Sequence, residues 1–348
     1  MEEARTNLVT YSEDFSNSYW GKNALSVTKK TGIVAPDGSE NVYHLQEDTN
    51  NLQHQLSVTL TAGTHAFSVF AKGDGSGRYL KLYGYGLGSS SEAPVFDVDN
   101  GIVYEPPTQT HFLSASIQDV GNGWYRCSLR ADTDGGSGSP TFALVDATDS
   151  HGTAGYTGDG TSGVYLYGAQ VEAGSFPTSY IKSNSGSTTT RSADVASIPV
   201  ADFGYNQKAF TVSIEASHLY DTFPSFNRFW ELSGGGDTVG LYGNSGSSSY
   251  VSMTVGGVSQ VSFSDGAEAA ANANTFMKYA VGLKTNDFDI ARDGSLDAGD
   301  TSIIMPDAID TLAVGMAFNG TTQLNGHIKS IKYYPRRLTN AQLQEITS

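Results

Sequence analysis

The sequence contains a single cysteine, Cys127, so the chain cannot form an internal disulfide and must rely on packing for its stability. Charged residues are also scarce, at 16% of the chain against about 25% in an average globular protein. No apolar run approaches the roughly 20 residues that a membrane-spanning helix needs. The first five residues lack the basic and apolar regions of a secretory signal, so we expect the chain to be made in a cytoplasm.

Basic residues are outnumbered, and this limits the partners of the protein. The 20 Lys and Arg residues stand against 36 Asp and Glu residues, which gives a formal net charge of −16. A broad basic surface is therefore excluded, which argues against binding to nucleic acid and against insertion into an anionic membrane. Sugar recognition needs no positive field and is compatible with this charge.

The abundant residues indicate the fold class. The chain has 40 glycines, 19 tyrosines and 16 phenylalanines, and its aromatic segments are separated by Gly, Ser and Asp turns. This pattern predicts an all-β protein. A length of 348 residues suits two domains.

A domain boundary follows the segment 164–181. This segment begins as an alternating strand, and Gly174 and Pro177 then prevent the strand from continuing. The run after it is almost entirely Ser, Thr, Asn and Gly, which is typical of a flexible linker. We therefore predict two β-sandwich (jelly-roll) domains in tandem, at residues 1–182 and 200–348, with a Ser/Thr-rich linker at 183–199.

Two shorter patterns predict local structure. Thr339, followed three residues later by Gln342, forms a capping-box pattern, so we expect a short C-terminal helix with Leu343 and Ile346 facing the sheet. Residues 74–77, Asp-Gly-Ser-Gly, predict a tight connection of the hairpin kind.

Five motifs occur in order along the first domain, at residues 7–15, 35–38, 67–72, 119–127 and 168–181. As an ordered set they resemble the carbohydrate-binding-module-like jelly-roll domain that is common in tail and head-fibre proteins of tailed bacteriophages. Residues 326–339 and the helix after them resemble the closing strand of concanavalin-A-like, laminin-G-like lectin domains, which phage fibre proteins often carry.

The resemblance implies a function and a location. The protein would be a non-catalytic component of the virion surface, such as a head fibre, a decoration protein or part of a tail fibre. It would bind host-cell surface glycans, contact other virion proteins and form a homo-oligomer, often a trimer. A purely structural virion protein and a glycan-cleaving enzyme are the alternatives.

Aromatic side chains on one face of the strands are the first candidate site. Leu80 and Leu82 share one face of the strand 78–85 and should point to the core, which leaves the tyrosines outward. Flat aromatic rings can stack on sugar C–H groups, and a phenol hydroxyl can form hydrogen bonds. Alternatively, these rings pack under a loop, against the other domain or against a neighbouring subunit. The predicted glycan-binding residues are Tyr79, Lys81, Tyr83, Tyr85, Trp124, Arg126, Tyr165 and Tyr167.

An acidic stretch, residues 289–300, is a candidate calcium site. Acidic residues fall at the first, fifth, ninth and twelfth positions of a calcium-loop spacing, with glycine at the sixth. The third position, Ala291, supplies no ligand. The alternative is an acidic β-hairpin turn at Asp293-Gly294. The candidate calcium ligands are Asp289, Asp293, Asp297 and Asp300.

Catalytic patterns are missing from the sequence. A glycosidase needs two carboxylates facing one cleft, and nothing in the sequence pairs Glu215 with Glu231. The seven histidines are scattered, and no pair has metal-ligand spacing on one element. We therefore predict no catalytic residue and no enzyme activity. Cys127, on the inward face of its strand, is predicted to be an inert core thiol.

Overall fold

The structure is a computed structural model of the chain. It describes residues 1–60, 65–85, 93–106, 112–131, 139–151, 155–184, 186–219, 226–244, 248–264, 274–297 and 299–348. The chain divides into two compact units. One unit is Arg5–Arg191, and the other joins Met1–Ala4 to Ser192–Ser348.

The first unit is built from antiparallel strands. Two six-stranded sheets, with strand orders β10-β9-β8-β13-β6-β2 and β11-β12-β7-β15-β4-β3, enclose one hydrophobic core. Its strands among the described residues are β1 (Arg5–Asn7), β2 (Gly21–Asn23), β3 (Leu25–Lys30), β4 (Val42–Glu47), β5 (Asn51–Leu52), β6 (His54–Ser57), β7 (His65–Gly73), β8 (Tyr79–Tyr85), β9 (Val95–Asp97), β10 (Ile102–Tyr104), β11 (Phe112–Gly121), β12 (Trp124–Ala131), β13 (Ser139–Val145), β14 (Tyr156–Thr157), β15 (Gly163–Ala173) and β16 (Thr189–Arg191).

The core of the first unit follows the alternation of its strands. Leu80 and Leu82 of β8 are fully buried, and they lie in the same cluster as Val69 of β7 on the facing sheet. Cys127 of β12 belongs to this cluster, and burial raises the pKa of its thiol. The inward faces predicted for these strands are therefore the observed ones.

The connection at residues 74–77 is not a hairpin. β7 and β8, which it joins, belong to different sheets, so it carries the chain from one sheet to the other. Asp74 accepts hydrogen bonds from the backbone N–H and the hydroxyl of Ser76. This local bonding produces the tight turn, and the sequence pattern alone does not determine which strands it connects.

A buried carboxylate holds the turn after β15. Glu172 is fully buried and accepts hydrogen bonds from Gln170 Nε2 at 2.6 Å and from the backbone N–H of Thr178 at 2.9 Å. The Thr178 hydroxyl donates a further bond to it. The chain between Gly174 and Thr178 is thereby folded back against the strand from which it came.

The second unit is also a sandwich. Its six-stranded sheet has the order β17-β26-β19-β20-β21-β22, and its five-stranded sheet has the order β25-β24-β23-β18-β27. Its elements among the described residues are β17 (Ser197–Pro199), β18 (Ala209–His218), β19 (Asn227–Gly234), β20 (Asp237–Asn244), β21 (Ser248–Val255), β22 (Val258–Ser264), β23 (Met277–Lys284), β24 (Asp287–Arg292), β25 (Ser295–Leu296), β26 (Thr311–Val314), β27 (Gly326–Tyr334) and α1 (Asn340–Thr347).

The C-terminal helix has the predicted cap. The Thr339 side chain accepts a hydrogen bond from the Gln342 backbone, and the Gln342 side chain accepts one from the Thr339 backbone. Leu343 is fully buried and packs with Ala280 and Ala291 of the five-stranded sheet. The all-β class, the sandwich architecture and the short terminal helix are confirmed. Within the described residues, no helix has the length and apolar character to cross a membrane.

The segment expected to form a flexible linker contains two strands. β16 pairs with β1 in the first unit, and β17 pairs with β26 in the second. Ser183, at its start, is buried and hydrogen-bonded to Ser12. The residues of β16 and β17 form strands because backbone pairing does not depend on apolar side chains.

Candidate ligand-binding face

The structure splits the aromatic residues predicted to bind glycan into two groups. Tyr79, Lys81, Tyr83 and Tyr85 lie on β8 of one sheet, whereas Trp124, Arg126, Tyr165 and Tyr167 lie on β12 and β15 of the other. In both sheets, neighbouring residues of the same strands fill the shared core. The two groups therefore lie on opposite outer faces and do not form one site.

On β8 the predicted residues are largely covered. Tyr83 is only 5% exposed, packs with Ala93 and Ala143, and donates its hydroxyl proton to Gln53 and Gln55. Lys81 is also buried and donates to the carbonyl of Ser150 at 3.2 Å. Tyr79 is half-buried, and the side chain of Tyr85 lies outside the described residues.

On the opposite sheet the large rings are covered as well. Trp124 is buried and donates from Nε1 to the carbonyl of Val34 at 2.9 Å. Tyr167 is buried, and its hydroxyl donates to Glu13 at 2.9 Å. Arg126 is half-buried and donates to Ser68 and to the Thr178 carbonyl, and Tyr165 is half-buried beside His44. The expectation of a free aromatic surface is wrong here, because these rings pack under segments of their own unit.

The acidic stretch 289–300 does not form a calcium loop. β24 and β25 pair as a hairpin whose two turn residues, Asp293 and Gly294, have φ values of 44° and 81°. Arg337 pairs with Asp289, while the Asp293 and Asp300 carboxylates accept backbone bonds from Lys278 and Ser302. Burial raises the pKa of Asp297. Among the described residues, which omit position 298, no three acidic, histidine or cysteine side chains are grouped to hold a metal.

The carboxylates considered for catalysis are far apart in the topology. Glu215 is on β18 of the five-stranded sheet, where it pairs with Lys329 at 2.7 Å. Glu231 is on β19 of the six-stranded sheet. The two residues therefore belong to different sheets of the second unit.

A different surface has the features of a binding site. On the six-stranded sheet of the second unit, Leu232, Val239 and Leu241 point to the core and are fully buried, so their neighbours in each strand point outward. We call this outward surface the polar face. Its residues are Arg228, Glu231 and Ser233 on β19, Thr238, Gly240 and Tyr242 on β20, Tyr250, Ser252 and Thr254 on β21, Ser262 and Ser264 on β22, and Thr311 and Ala313 on β26.

An ion pair lies in the middle of the polar face. Arg228 Nε donates to Glu231 Oε2 at 2.8 Å, and the backbone N–H of Phe318 donates to Glu231 Oε1 at 3.0 Å. Glu231 is only 5% exposed. Two donors thus hold this carboxylate in one orientation, although its two oxygens can accept about four hydrogen bonds.

A β-bulge is the reason why this pair was not found from the sequence. Residues three apart on a regular strand point to opposite faces, so alternation places Arg228 and Glu231 on different sides. The pairing of β19 with β20 shifts register between Arg228 and Trp230, which brings both side chains to the polar face. The Arg-x-x-Glu spacing carries no signal of that shift.

A group of aromatic rings lies next to Arg228 of the ion pair. The Arg228 guanidinium lies over the Tyr242 ring, 4.1 Å from its centroid, and the Tyr242 ring contacts those of Phe226 and Tyr250 at 5.4 Å and 4.9 Å. Phe226 is 50% exposed and Phe318 is 59% exposed. Both phenylalanines lie outside a strand, so side-chain alternation does not place them on this face.

A depression of about 290 Å³ lies beside the ion pair. Gly235 helps to form it, because its φ of 55° suits glycine and a Cβ there would come within 2.4 Å of the Ala308 side chain. Backbone hydrogen bonds, first that from Gly256, lower the pKa of Asp237. The lining residues are Ser233, Gly234, Gly235, Gly236, Asp237, Thr238, Asp310, Thr311 and Phe318.

Comparison with known proteins finds matches among solved structures. No protein-family model matches the chain, and no curated protein sequence matches it. The CBM40 module of the Ruminococcus gnavus IT-sialidase, bound to α2,3-sialyllactose, is 13% identical, with 45% of this chain and 94% of the module covered at a TM-score of 0.37.

Two further solved structures match part of the chain. Domain 4 of a GH43 extracellular arabinanase from Geobacillus stearothermophilus, in complex with arabinotriose, is 11% identical and covers 47% of this chain and 73% of its own at a TM-score of 0.35. Sheep galectin-11, in complex with glycerol, is 12% identical and covers 41% of this chain and all of its own at a TM-score of 0.30.

Proposed function

We propose that the protein is a non-catalytic glycan-binding protein and that the polar face of its second unit is the binding surface. The observation that carries this proposal is the Arg228–Glu231 pair, which is bonded to the backbone of two exposed phenylalanines, Phe226 and Phe318. A sugar ring can stack its C–H groups on an aromatic face while its hydroxyls bond to polar groups that are already oriented. The polar face supplies both.

The orientation of Glu231 favours binding over structure alone. The carboxylates that stabilise the first unit, such as Glu172, are saturated by donors from their own unit. Glu231, which is 5% exposed, accepts from Arg228 and Phe318 on the outer side of its sheet, where its small neighbours Ser233 and Ala313 are also buried. Hydroxyl donors of a ligand are the groups that such a carboxylate recognises.

We further propose that glycan binding serves attachment of a tailed-phage virion to its host. The protein would lie on the virion surface, as a head fibre, a decoration protein or a tail-fibre component, and would contact other virion proteins as a homo-oligomer. The support for this part is the resemblance of the ordered motifs in residues 7–181 and of residues 326–339. Light scattering of the purified protein tests the oligomer, since a trimer has three times the chain mass.

A glycan array tests the binding proposal. The full-length protein should bind a set of glycans, and Phe318→Ala should lower the affinity for them about tenfold, because one stacking interaction is lost. Phe276→Ala is the matched control. Phe276 is also an exposed phenylalanine, at 46%, and it lies under Lys329 rather than on the polar face.

Two results would refute the proposal. The first is an array on which the wild-type protein binds no glycan. The second is equal binding by wild type, Phe318→Ala and Phe276→Ala, which would place any binding elsewhere. Thermal unfolding of the variants, compared with wild type, shows whether the fold is retained.

A further inference from the structure

The charged groups around the depression indicate which glycans it selects. Among its described lining residues, the ionisable side chains are Asp237 and Asp310, and neither Lys nor Arg is present. Asp310 is exposed at the rim. A carboxylate, sulfate or phosphate on a bound sugar would add a third negative charge beside these two, and that repulsion opposes binding.

Arg228 does not offset these charges. Its Nε is paired with Glu231 at 2.8 Å, its Nη1 donates to the Phe226 carbonyl at 3.2 Å, and its guanidinium lies over the Tyr242 ring. An acidic sugar could use Arg228 fully only by displacing Glu231. That exchange would leave the nearly buried Glu231 carboxylate without its ion-pair partner, which is strongly unfavourable.

We infer that the polar face selects uncharged glycans over acidic ones. This inference rests on the proposed function and specifies its ligand class. The groups that remain for recognition are acceptors and small hydroxyls, Ser233, Thr238 and Thr311, with the Phe318 ring for stacking. These groups fit a neutral polyhydroxy ring, whose hydroxyls donate to the exposed Asp310 carboxylate and accept from the Ser and Thr side chains.

The size of the depression limits how much of the glycan it holds. Its volume of about 290 Å³ lies at the lower end of the range for small-molecule sites, roughly 300–1,000 Å³. One sugar ring is therefore held beside Phe318. The rest of the chain of sugars lies along the strands of the polar face.

Paired glycans provide the test. An array in which each neutral oligosaccharide is accompanied by its sialylated, uronic-acid and phosphorylated forms measures the preference directly. We expect the neutral form of a bound pair to bind at least tenfold more tightly. We also expect its affinity to be the same at low and high NaCl concentration, because no ion pair forms with the ligand.

Substitutions at Asp310 locate the source of the preference. Asp310→Asn removes one negative charge and should reduce the difference in affinity between the neutral and acidic forms of a glycan. Asp310→Lys should reduce this difference further. Glu40→Lys makes the same change of charge at an exposed position of the first unit and should leave the preference unchanged. Phe318→Ala should lower the affinity for the neutral form and for the acidic form of a pair by the same factor.

The outcomes separate the two proposals. Tighter binding of acidic forms that is lost in Phe318→Ala overturns the inference and leaves the proposed function in place. An unchanged preference in Asp310→Lys also overturns it. Failure of the wild-type protein to bind any glycan, neutral or acidic, refutes the proposed function, and the inference falls with it.

Discussion

At the scale of single residues, the same side-chain types have different roles because their surroundings differ. Glu47 is buried and receives bonds from Arg78, Tyr156 and the Asp159 backbone, so it acts as a structural link inside the first unit. Glu231 has one arginine partner and one backbone donor, on an outward face. Saturation of the carboxylate distinguishes the structural ion pair from the one proposed to bind ligand.

Lys81 should reduce stability near neutral pH and cease to do so in alkali. Burial lowers its pKa from 10.5 to about 8. Between these values the unfolded chain binds more protons at this residue than the folded chain, so its contribution to the free energy of unfolding rises with pH. Below a pH of about 8 the buried Lys81 is charged in the folded chain, and its destabilising effect is at its full size.

Lys81→Met removes the titrating group and keeps most of the side-chain volume. We expect the variant to exceed wild type in stability near pH 7, with a difference that shrinks as the pH approaches 10.5. Chemical denaturation across this range measures it. Lys29→Met, at an exposed position, is the control, and a difference that does not vary with pH would contradict the prediction.

At the scale of elements, side-chain alternation predicts the buried face of a regular strand and fails at a bulge. It predicts β8 correctly, with Leu80 and Leu82 inward. On β15 it does not, because the register shifts between Tyr167 and Gln170, around Gly168, which has a φ of 60°. On β19 a similar shift hides the Arg228–Glu231 pair. Both failures have one cause, since an extra residue inverts the alternation beyond it.

The turn after β15 should depend on its buried carboxylate. Glu172→Ala leaves the buried Thr178 donors without this acceptor and removes the shortest bond of the Gln170 amide, so we expect a loss of about 3 kcal/mol in the free energy of unfolding. Urea denaturation of the full chain, followed by tryptophan fluorescence, measures it. Glu40→Ala, at an exposed position, should change stability little. Equal midpoints for the two variants would show that the network is dispensable.

At the scale of the whole molecule, the two compact units are not two consecutive halves of the chain. Met1–Ala4 belongs to the second unit, where the Met1 carbonyl accepts from Gly326 and the Glu2 carbonyl accepts from Asp194. Composition could not reveal this pairing. Met1 and Gly326 are far apart in the sequence, and their bond uses backbone groups that every residue has.

The net charge of −16 should prevent the protein from binding nucleic acid. Mobility-shift titration with double-stranded DNA at physiological salt should show no complex, because phosphate binding needs clustered Lys and Arg. A basic protein of similar size is the positive control. A complex that dissociates as the salt concentration rises would contradict the prediction and would show a local basic patch despite the negative net charge.

The sequence by itself determined the all-β class, the inward faces of the regular strands and the capped C-terminal helix, because these depend on local periodicity and nearest neighbours. Only the tertiary structure decided which outward rings are covered and which side of β19 Arg228 occupies. Those features depend on register and on distant segments, which residue types alone do not specify.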